Sequence, residues 1–206
     1  VNKIVLATRN LGKIQELERM LDRPELEVRV MGLRDFPDLP DVDETGSTFI
    51  ENALLKARAI SAITGIPALA DDSGLCIDAL SGDPGIFSAR WAGVHGDDEA
   101  NLQKVLRQLS ELENPSLGAQ FRCAVVLVFP PGHQHAGLEI IHEGVLEGQI
   151  VKAPRGNQGF GYDPIFQPMG FEETTAELSP DVKDQISHRG KAFQAMLPDL
   201  REFLSR

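Results

Sequence analysis

At 206 residues the chain is long enough for one large domain with a substantial core, and 42% hydrophobic and 25% charged residues are ordinary for a soluble globular protein. A formal net charge of -11 and a pI near 4.9 argue against broad binding to DNA, RNA or an anionic membrane surface. For an anionic ligand the long-range field is repulsive, so the positions of the few Lys and Arg residues become informative.

Cys76 and Cys123 lie in apolar contexts without metal-ligand spacing. They read as reduced core thiols of a cytoplasmic protein, a disulfide being the less favoured alternative. The sequence opens at Val1, which reads as a trimmed or unusual start, and its first apolar run, Ile4-Val5-Leu6-Ala7, is too short for a signal-peptide core. No run approaches membrane-spanning length.

Lys3 to Ala7 predicts a first buried strand, and Ile14, Leu17 and Leu21 recur at helical spacing after it. Glu27 to Met31 alternates as a strand, followed by an acidic, Pro-bearing loop from Gly32 to Gly46. Thr48-Phe49-Ile50-Glu51 has the capping-box pattern of a helix that runs to about Thr64 and stops at Gly65. Ile50, Leu54, Ala57 and Ser61 make one face of that helix; Asn52, Lys56, Ala59 and Ile63 make a smaller, mixed one, and both faces look contacted. Ile66 to Leu69 reads as a short buried strand that leads through Ala70-Asp71-Asp72 into a Ser73-Gly74 turn.

Asp97 is placed to cap a third helix with Leu102, Val105, Leu106, Leu109 and Leu112 as its buried stripe. Gln120 to Phe129 is a strong central strand, turned by Pro130-Pro131-Gly132, and Gly137 to Ile150 supplies one or two antiparallel partners. The final helix begins near Ser187, which can cap it. It buries Phe193, Met196, Leu197, Leu200, Phe203 and Leu204, with Pro198 expected to kink or restart it. The resulting fold class is α/β: a single domain, 1–206, with a mixed β-sheet flanked by helices and two lobes around a central cleft.

Two adjacent carboxylates at the end of a buried strand are costly, because each raises the pKa of the other and both resist desolvation. A divalent cation removes that cost, and oxygen ligands suit Mg2+. An Asp-Asp-Ser-Gly surface turn is the alternative, and from Ala70 to Leu75 alone both readings stand. Thr8-Arg9-Asn10-Leu11-Gly12-Lys13 lies between first strand and first helix, where orphan backbone N–H groups attract phosphate, although it lacks the P-loop pattern and a plain capped helix start reads equally well. The acidic run through Glu44 is a second carboxylate cluster, or a solvated loop. Gly156 to Pro164 sets glycines around Phe160, so that a flat base could stack on its ring; inward packing of Phe160 and Tyr162 is the competing reading. His188 and Arg189 oppose the helix dipole at a helix start, which suggests contacts to an anion or a carbonyl oxygen.

Taken in order, these segments resemble the inosine/xanthosine triphosphate pyrophosphatase family, which acts on non-canonical purine nucleotides. The resemblance rests on Thr8–Lys13, Glu44-Thr45-Gly46, Phe49–Ala53 with Lys56-Ala57, Ala70–Leu75, Pro84-Gly85-Ile86 with Ser88-Ala89-Arg90, Gly159–Pro164 and Ser187–Gly190. It implies hydrolysis of dITP, ITP or XTP to monophosphate and pyrophosphate with Mg2+, in an elongated, two-lobed α/β fold that is usually a homodimer. By the same resemblance Asp72 would be general base and metal ligand, Glu44 the other metal-side carboxylate, and Asp71 a support for the metal or its waters. Lys13, Lys56 and Lys183 would bind the triphosphate, with Thr8, Arg9, Asn10, Leu11 and Gly12 cradling it and Ser73 adding a polar contact. Phe160 would stack on the purine, Gly161, Tyr162 and Asp163 would line the base pocket, and His188 and Arg189 would donate to the 6-oxo group. Two rival readings are a Maf-type pyrophosphatase for other nucleoside triphosphates and a nucleotide-binding sensor without catalysis. His133 and His135 match no family motif and read as solvent-exposed.

Overall fold

Strands and helices alternate through the first half of the chain: β1 (Asn2–Leu6), α1 (Leu11–Leu21), β2 (Val28–Gly32), α2 (Phe49–Thr64) and β3 (Ala68–Ile77). They continue as α3 (Asp98–Ser110), β4 (Gly118–Val128), β5 (Glu139–Ile150), β6 (Phe166–Pro168), α4 (Pro180–Ile186) and α5 (His188–Leu204). This computed structural model describes residues 2–23, 26 and 28–204, so Glu27, the expected start of the second strand, lies outside the described residues. The strands form one mixed sheet in the order β2-β1-β3-β4-β5-β6; β1 runs parallel to β2 and β3, and β5 antiparallel to β6. No helix among the described residues is long and apolar enough to cross a membrane.

Two compact units make up the chain, one containing the residues up to Asp72, Cys123–Glu143 and those from Lys191 onward, the other Ser73–Arg122 and Gly144–Gly190. In the first unit the side-chain period of a strand decides which helix covers which face. Ile4, Leu6, Leu69, Val125 and Leu127 point to one side, where Leu17 and Met20 of α1 and Phe193, Met196 and Leu200 of α5 bury them. Val5, Ala7, Ala68, Ala70, Val126 and Val128 point to the other, under Ala53, Ala57 and Ile60 of α2. In the second unit Leu102, Val105 and Leu109 of α3 pack on Leu75, Ile77, Phe121, Leu146 and Phe166.

Helix ends follow the sequence closely. Asn10, Thr48 and Asp97 cap α1, α2 and α3 by accepting the N–H groups of Lys13, Glu51 and Ala100, and Gly65 ends α2 in the left-handed conformation at φ 67°. The Glu51 carboxylate takes the N–H and the hydroxyl of Ser47, one residue earlier than a capping box would place it.

Four expectations are corrected. Ser73-Gly74 is no turn, for β3 continues through both to Ile77. A Cβ at Gly74 would lie 2.1 Å from the Gly85 carbonyl oxygen and 2.6 Å from Ser88 Oγ, so this glycine serves close backbone approach. Leu112 lies beyond the end of α3 and is 42% exposed. On α2 the buried side chains are Phe49, Asn52, Ala53, Ala57, Ile60 and Ser61, while Ile63 faces solvent. Of the two outcomes expected at Pro198, a kink or a restart, the restart does not occur: α5 is continuous there, with Pro198 and Gln194 exposed, so water can take the carbonyl that the missing N–H leaves. The sequence reading also passed over β6 and α4, whose short lengths carry little periodicity.

Neither cysteine is in a disulfide; Cys123 is buried, and burial pushes the half-buried Cys76 thiol above its ordinary pKa. Both thiols should therefore react slowly with iodoacetamide at pH 8 in the native protein and rapidly once urea unfolds it. Gly74→Ala should lower stability by about 3 kcal/mol, since backbone rather than a flexible side chain blocks the new methyl, and urea denaturation measures the loss.

Candidate active site

Within the first unit β1 is the strand where the winding reverses, with β2 on one side and β3 on the other, and with α1 and α2 on opposite faces. Ligands of parallel α/β sheets bind beyond the carboxyl ends of strands at such a switch point. The residues there are the ones the sequence singles out. Beyond β1 come Thr8, Arg9 and Asn10; beyond Leu69, the last residue of β3 in register with β1, come Asp71 and Asp72.

Thr8 Oγ1 accepts the Asn10 N–H at 3.2 Å, and Asn10 Oδ1 accepts the Lys13 N–H at 3.0 Å, which fixes the loop that leads into α1. The first turn of α1 carries no acidic side chain, so its partial positive pole is not neutralised there. Leu11 opens the helix with its side chain 55% exposed, Gly12 follows inside the helix, and Lys13 Nζ stands 3.0 Å from Asp71 Oδ2. Arg9 turns outward and pairs with Asp41 at 2.7 Å and with the Leu39 carbonyl at 2.9 Å. It is occupied at the surface, so a phosphate contact would require it to leave Asp41.

Because successive side chains of a strand point to opposite faces, Asp71 and Asp72 separate. Asp71 faces α1, with Lys13 at 3.0 Å and the Cys123 thiol at 3.9 Å. Asp72 faces α2, where Lys56 Nζ lies 3.5 Å from Oδ1 and the Asn52 amide donates to Oδ2 at 3.2 Å. Lys56 Nζ also holds Glu44 Oε1 at 2.7 Å, so Glu44 and Asp72 share one ammonium group. Asn52 reaches the same loop, its Oδ1 accepting the Gly46 N–H at 2.8 Å.

Three carboxylates, Glu44, Asp71 and Asp72, face two ammonium groups, Lys13 and Lys56. Burial pushes the Asp72 carboxyl up; Lys56 and Lys13 pull it down, Glu44 and Asp71 push it up again, and it ends above the usual carboxylate range. Burial pulls Lys56 down, but Asp72, Glu44 and Asp71 together outweigh it and raise its pKa. Glu44 and Asp72 converge on one ammonium group, and two carboxylates brought together in this way offer the oxygen donors that suit a hard divalent cation. Among the described residues no three His, Cys, Asp or Glu side chains stand close enough to enclose a metal alone. The donor set therefore suits a cation that keeps most of its positions for water and phosphate.

A second cluster lies in the second unit, and it opens with Ser73, the chain neighbour of Asp72. Arg189, only 2% exposed, donates from Nη2 to Ser73 Oγ at 2.7 Å. The half-buried Phe160 ring has Lys183 Nζ 5.1 Å and Arg189 Cζ 5.7 Å from its centroid. His188 is buried and stacks on Phe121, with centroids 4.8 Å apart and planes 12° from parallel. Ser187 Oγ accepts the Gly190 N–H at 2.9 Å, so it caps α5 as expected and sets His188 and Arg189 at that helix start.

Phe160 and Tyr162 divide the two readings of their loop between them. Tyr162 packs inward and donates its hydroxyl to the Ser88 carbonyl at 2.7 Å, and burial raises its pKa well above the ordinary value. Gly161 offers its N–H to Asp98 Oδ2 at 2.8 Å. Asp163 is the anchor: its carboxylate accepts the Phe160 N–H at 2.8 Å, the Thr175 hydroxyl at 2.8 Å and Lys183 Nζ at 2.5 Å. Gly159, at φ 74°, leaves room for that carboxylate, since a Cβ there would sit 2.0 Å from Asp163 Oδ2. Lys183 is thus paired with Asp163 under the aromatic ring, whereas Lys13 and Lys56 pair with Asp71, Glu44 and Asp72. Asn52 is the site residue that the sequence reading left out of its candidates; its only signal there was its place in the Phe49–Ala53 segment.

Asp163→Ala should cost about 3–5 kcal/mol in urea denaturation, because it strands the buried Lys183 ammonium, and adding Lys183→Met should recover part of the loss. A model of the Ham1 family matches residues 4–199. A protein of Streptomyces avermitilis named dITP/XTP pyrophosphatase is 52% identical over 99% of this chain and 100% of its own. One of the same name from Bacillus cereus is 44% identical, over 98% and 97%. The solved structure of a HAM1 protein from Coxiella burnetii superposes with a TM-score of 0.86 at 43% identity, covering 98% of this chain and 100% of that one. The chain belongs to the Ham1 family.

Proposed function

We propose that this protein hydrolyses non-canonical purine nucleoside triphosphates, dITP, ITP and XTP, to the monophosphate and pyrophosphate, and so keeps them out of DNA and RNA. The observation that carries this reading is the Glu44–Lys56–Asp72 arrangement at the switch point, beside Lys13 and the capped start of α1. The names of the relatives, dITP/XTP pyrophosphatase, support the substrate class.

Water attacks the α-phosphorus, the bond from that phosphorus to the oxygen bridging to the β-phosphate breaks, and pyrophosphate leaves with the electron pair. Asp72 is the general base. Its Oδ2 is held by Asn52, and its Oδ1, which faces Lys56 at 3.5 Å, accepts the proton of the attacking water once phosphate has drawn that ammonium away; its raised pKa brings it toward the range where a base is effective. Lys13 and Lys56 bind phosphate oxygens, and orphan N–H groups of the first turn of α1 receive the phosphate chain. Glu44 and Asp72 would hold Mg2+, with Asp71 as support, and that ion neutralises charge on the transferring and leaving oxygens.

For the base, the Phe160 ring is the stacking surface, and the donors of His188 and Arg189 meet a 6-oxo group. Arg189 carries its N–H donors in a fixed planar fork and gives one nitrogen to Ser73, which orients the guanidinium. Adenine would present its 6-amino group, a donor, to these donors, and sites of this kind reject such a base by roughly 10^4-fold. Tyr162 and Asp163 act by holding the loop, and Lys183 by sitting beneath the ring. We assign the cytoplasm as compartment, which the reduced cysteines fit, and a homodimer as the working assembly, which sedimentation measures.

With Mg2+, dITP, ITP and XTP should yield monophosphate and pyrophosphate far faster than dATP or dTTP. A preference for dTTP would favour a Maf-type enzyme, and release of free phosphate alone would exclude cleavage between the α and β phosphates. Asp72→Asn should lower kcat by about 10^2–10^4-fold while dITP binding persists, which a pure sensor would not show. Lys13→Ala should chiefly raise KM, seen in initial-rate kinetics with dITP.

A further inference from the structure

We propose that Asn52 is a positioning residue for the reaction: its amide locks the Glu44–Gly46 loop to Asp72 and holds the reacting carboxylate in aim once phosphate has engaged Lys56. This inference rests on the pyrophosphatase reading above.

Asn52 and Lys56 are one helical turn apart on α2, and each bridges the same two elements. Lys56 joins Glu44 Oε1 to Asp72 Oδ1 at 2.7 and 3.5 Å, and Asn52 joins the Gly46 N–H to Asp72 Oδ2 at 2.8 and 3.2 Å. The orientation of the amide follows from its partners. A backbone N–H can only donate, so the Asn52 oxygen must face Gly46, which turns the NH2 group toward the accepting Asp72 oxygen. Asn52 is 0% exposed, and the close approach of Gly46 allows the contact, since a Cβ there would lie 2.7 Å from Asn52 Oδ1.

The two bridges respond differently to substrate. A triphosphate competes for the Lys56 ammonium and draws it away from Glu44 and Asp72. The Asn52 amide carries no charge for a phosphate to attract, and its oxygen and NH2 group are each engaged, with Gly46 and Asp72. The amide bridge persists after the cationic one loosens, and it is then the contact that fixes which Asp72 oxygen points at the water. Misplacing a reacting group by about 1 Å can cost 10^2-fold in rate without weakening substrate binding.

The test compares Asn52→Asp, which keeps an acceptor for the Gly46 N–H but removes the donor to Asp72, with Asn52→Ala, which removes both. Wild type and Asp72→Asn are measured beside them with dITP. The proposal expects both Asn52 variants to lose roughly 10- to 100-fold in kcat with KM within about threefold of wild type. Thermal melting and dIMP binding identify the variants that fold, and the smaller Asn52→Ser replaces either that does not. A folded variant with kcat within twofold of wild type overturns the proposal, as does a loss that falls on KM instead of kcat. If wild type does not cleave dITP, or Asp72→Asn cleaves it at the wild-type rate, the functional reading itself fails. An inactive Asp72→Asn beside fully active Asn52 variants removes this inference alone.

Discussion

A carboxylate stays ionised inside a protein only where nearby charge or hydrogen-bond donors offset its lost hydration, and β3 buries two of them in succession. The alternation of the strand is what makes this tolerable. Asp71 turns toward α1 and meets Lys13; Asp72 turns toward α2 and meets Lys56 and Asn52. Had both pointed the same way, the two charges would have shared one environment and the pair would have neutralised itself by taking up a proton. Each helix instead brings its own ammonium group. The result is a cluster of carboxylates and ammonium groups where β3 passes the end of β1, in a unit otherwise packed mainly with apolar side chains.

The packing under α2 lets so short a side chain as Asn52 take part. Ala53 and Ala57 on the helix meet Ala68 and Ala70 on the strand, all buried to within 1%. Small residues on both sides let the helix approach closely, and a wider spacing would put the Asp72 carboxylate out of reach of an amide. Larger side chains would fill that interface with more apolar surface and fewer polar contacts. The same helix is pinned at its start by Thr48 and by the Glu51–Ser47 contacts, so Asn52 projects from a fixed first turn and Lys56 from the turn that follows it. In the second unit Asp163 does the comparable work for Phe160, with the backbone of the loop, a hydroxyl and an ammonium all converging on one carboxylate.

Much of this was legible in the residues, and the exceptions have physical reasons. Helix starts at Thr48 and Asp97 were readable because capping depends on local chemistry, whereas α1 begins at Leu11, inside the segment read as the loop before it. The segments around Lys13, Lys56 and Asp72 were readable because charge beside an apolar run is conspicuous. Ser73-Gly74 misled because Ser-Gly is a common turn pair, whereas the reason for this glycine is the Gly85 carbonyl, a tertiary contact with no local signal. The Asp163–Lys183 pair joins the 3-10 turn before β6 to α4, both too short to read by periodicity, so its partnership could not be foreseen. Asn52 looked like one polar residue among many on a mixed face; only the fold brings Gly46 and Asp72 to it.

That neighbouring carboxylates do different work is most directly tested by pairing Asp71→Asn with Asp72→Asn in steady-state kinetics on dITP. The account predicts that Asp71→Asn, which disturbs Lys13, changes KM and leaves kcat within about threefold, while Asp72→Asn abolishes turnover and retains binding. The same kinetic profile in both variants would contradict it.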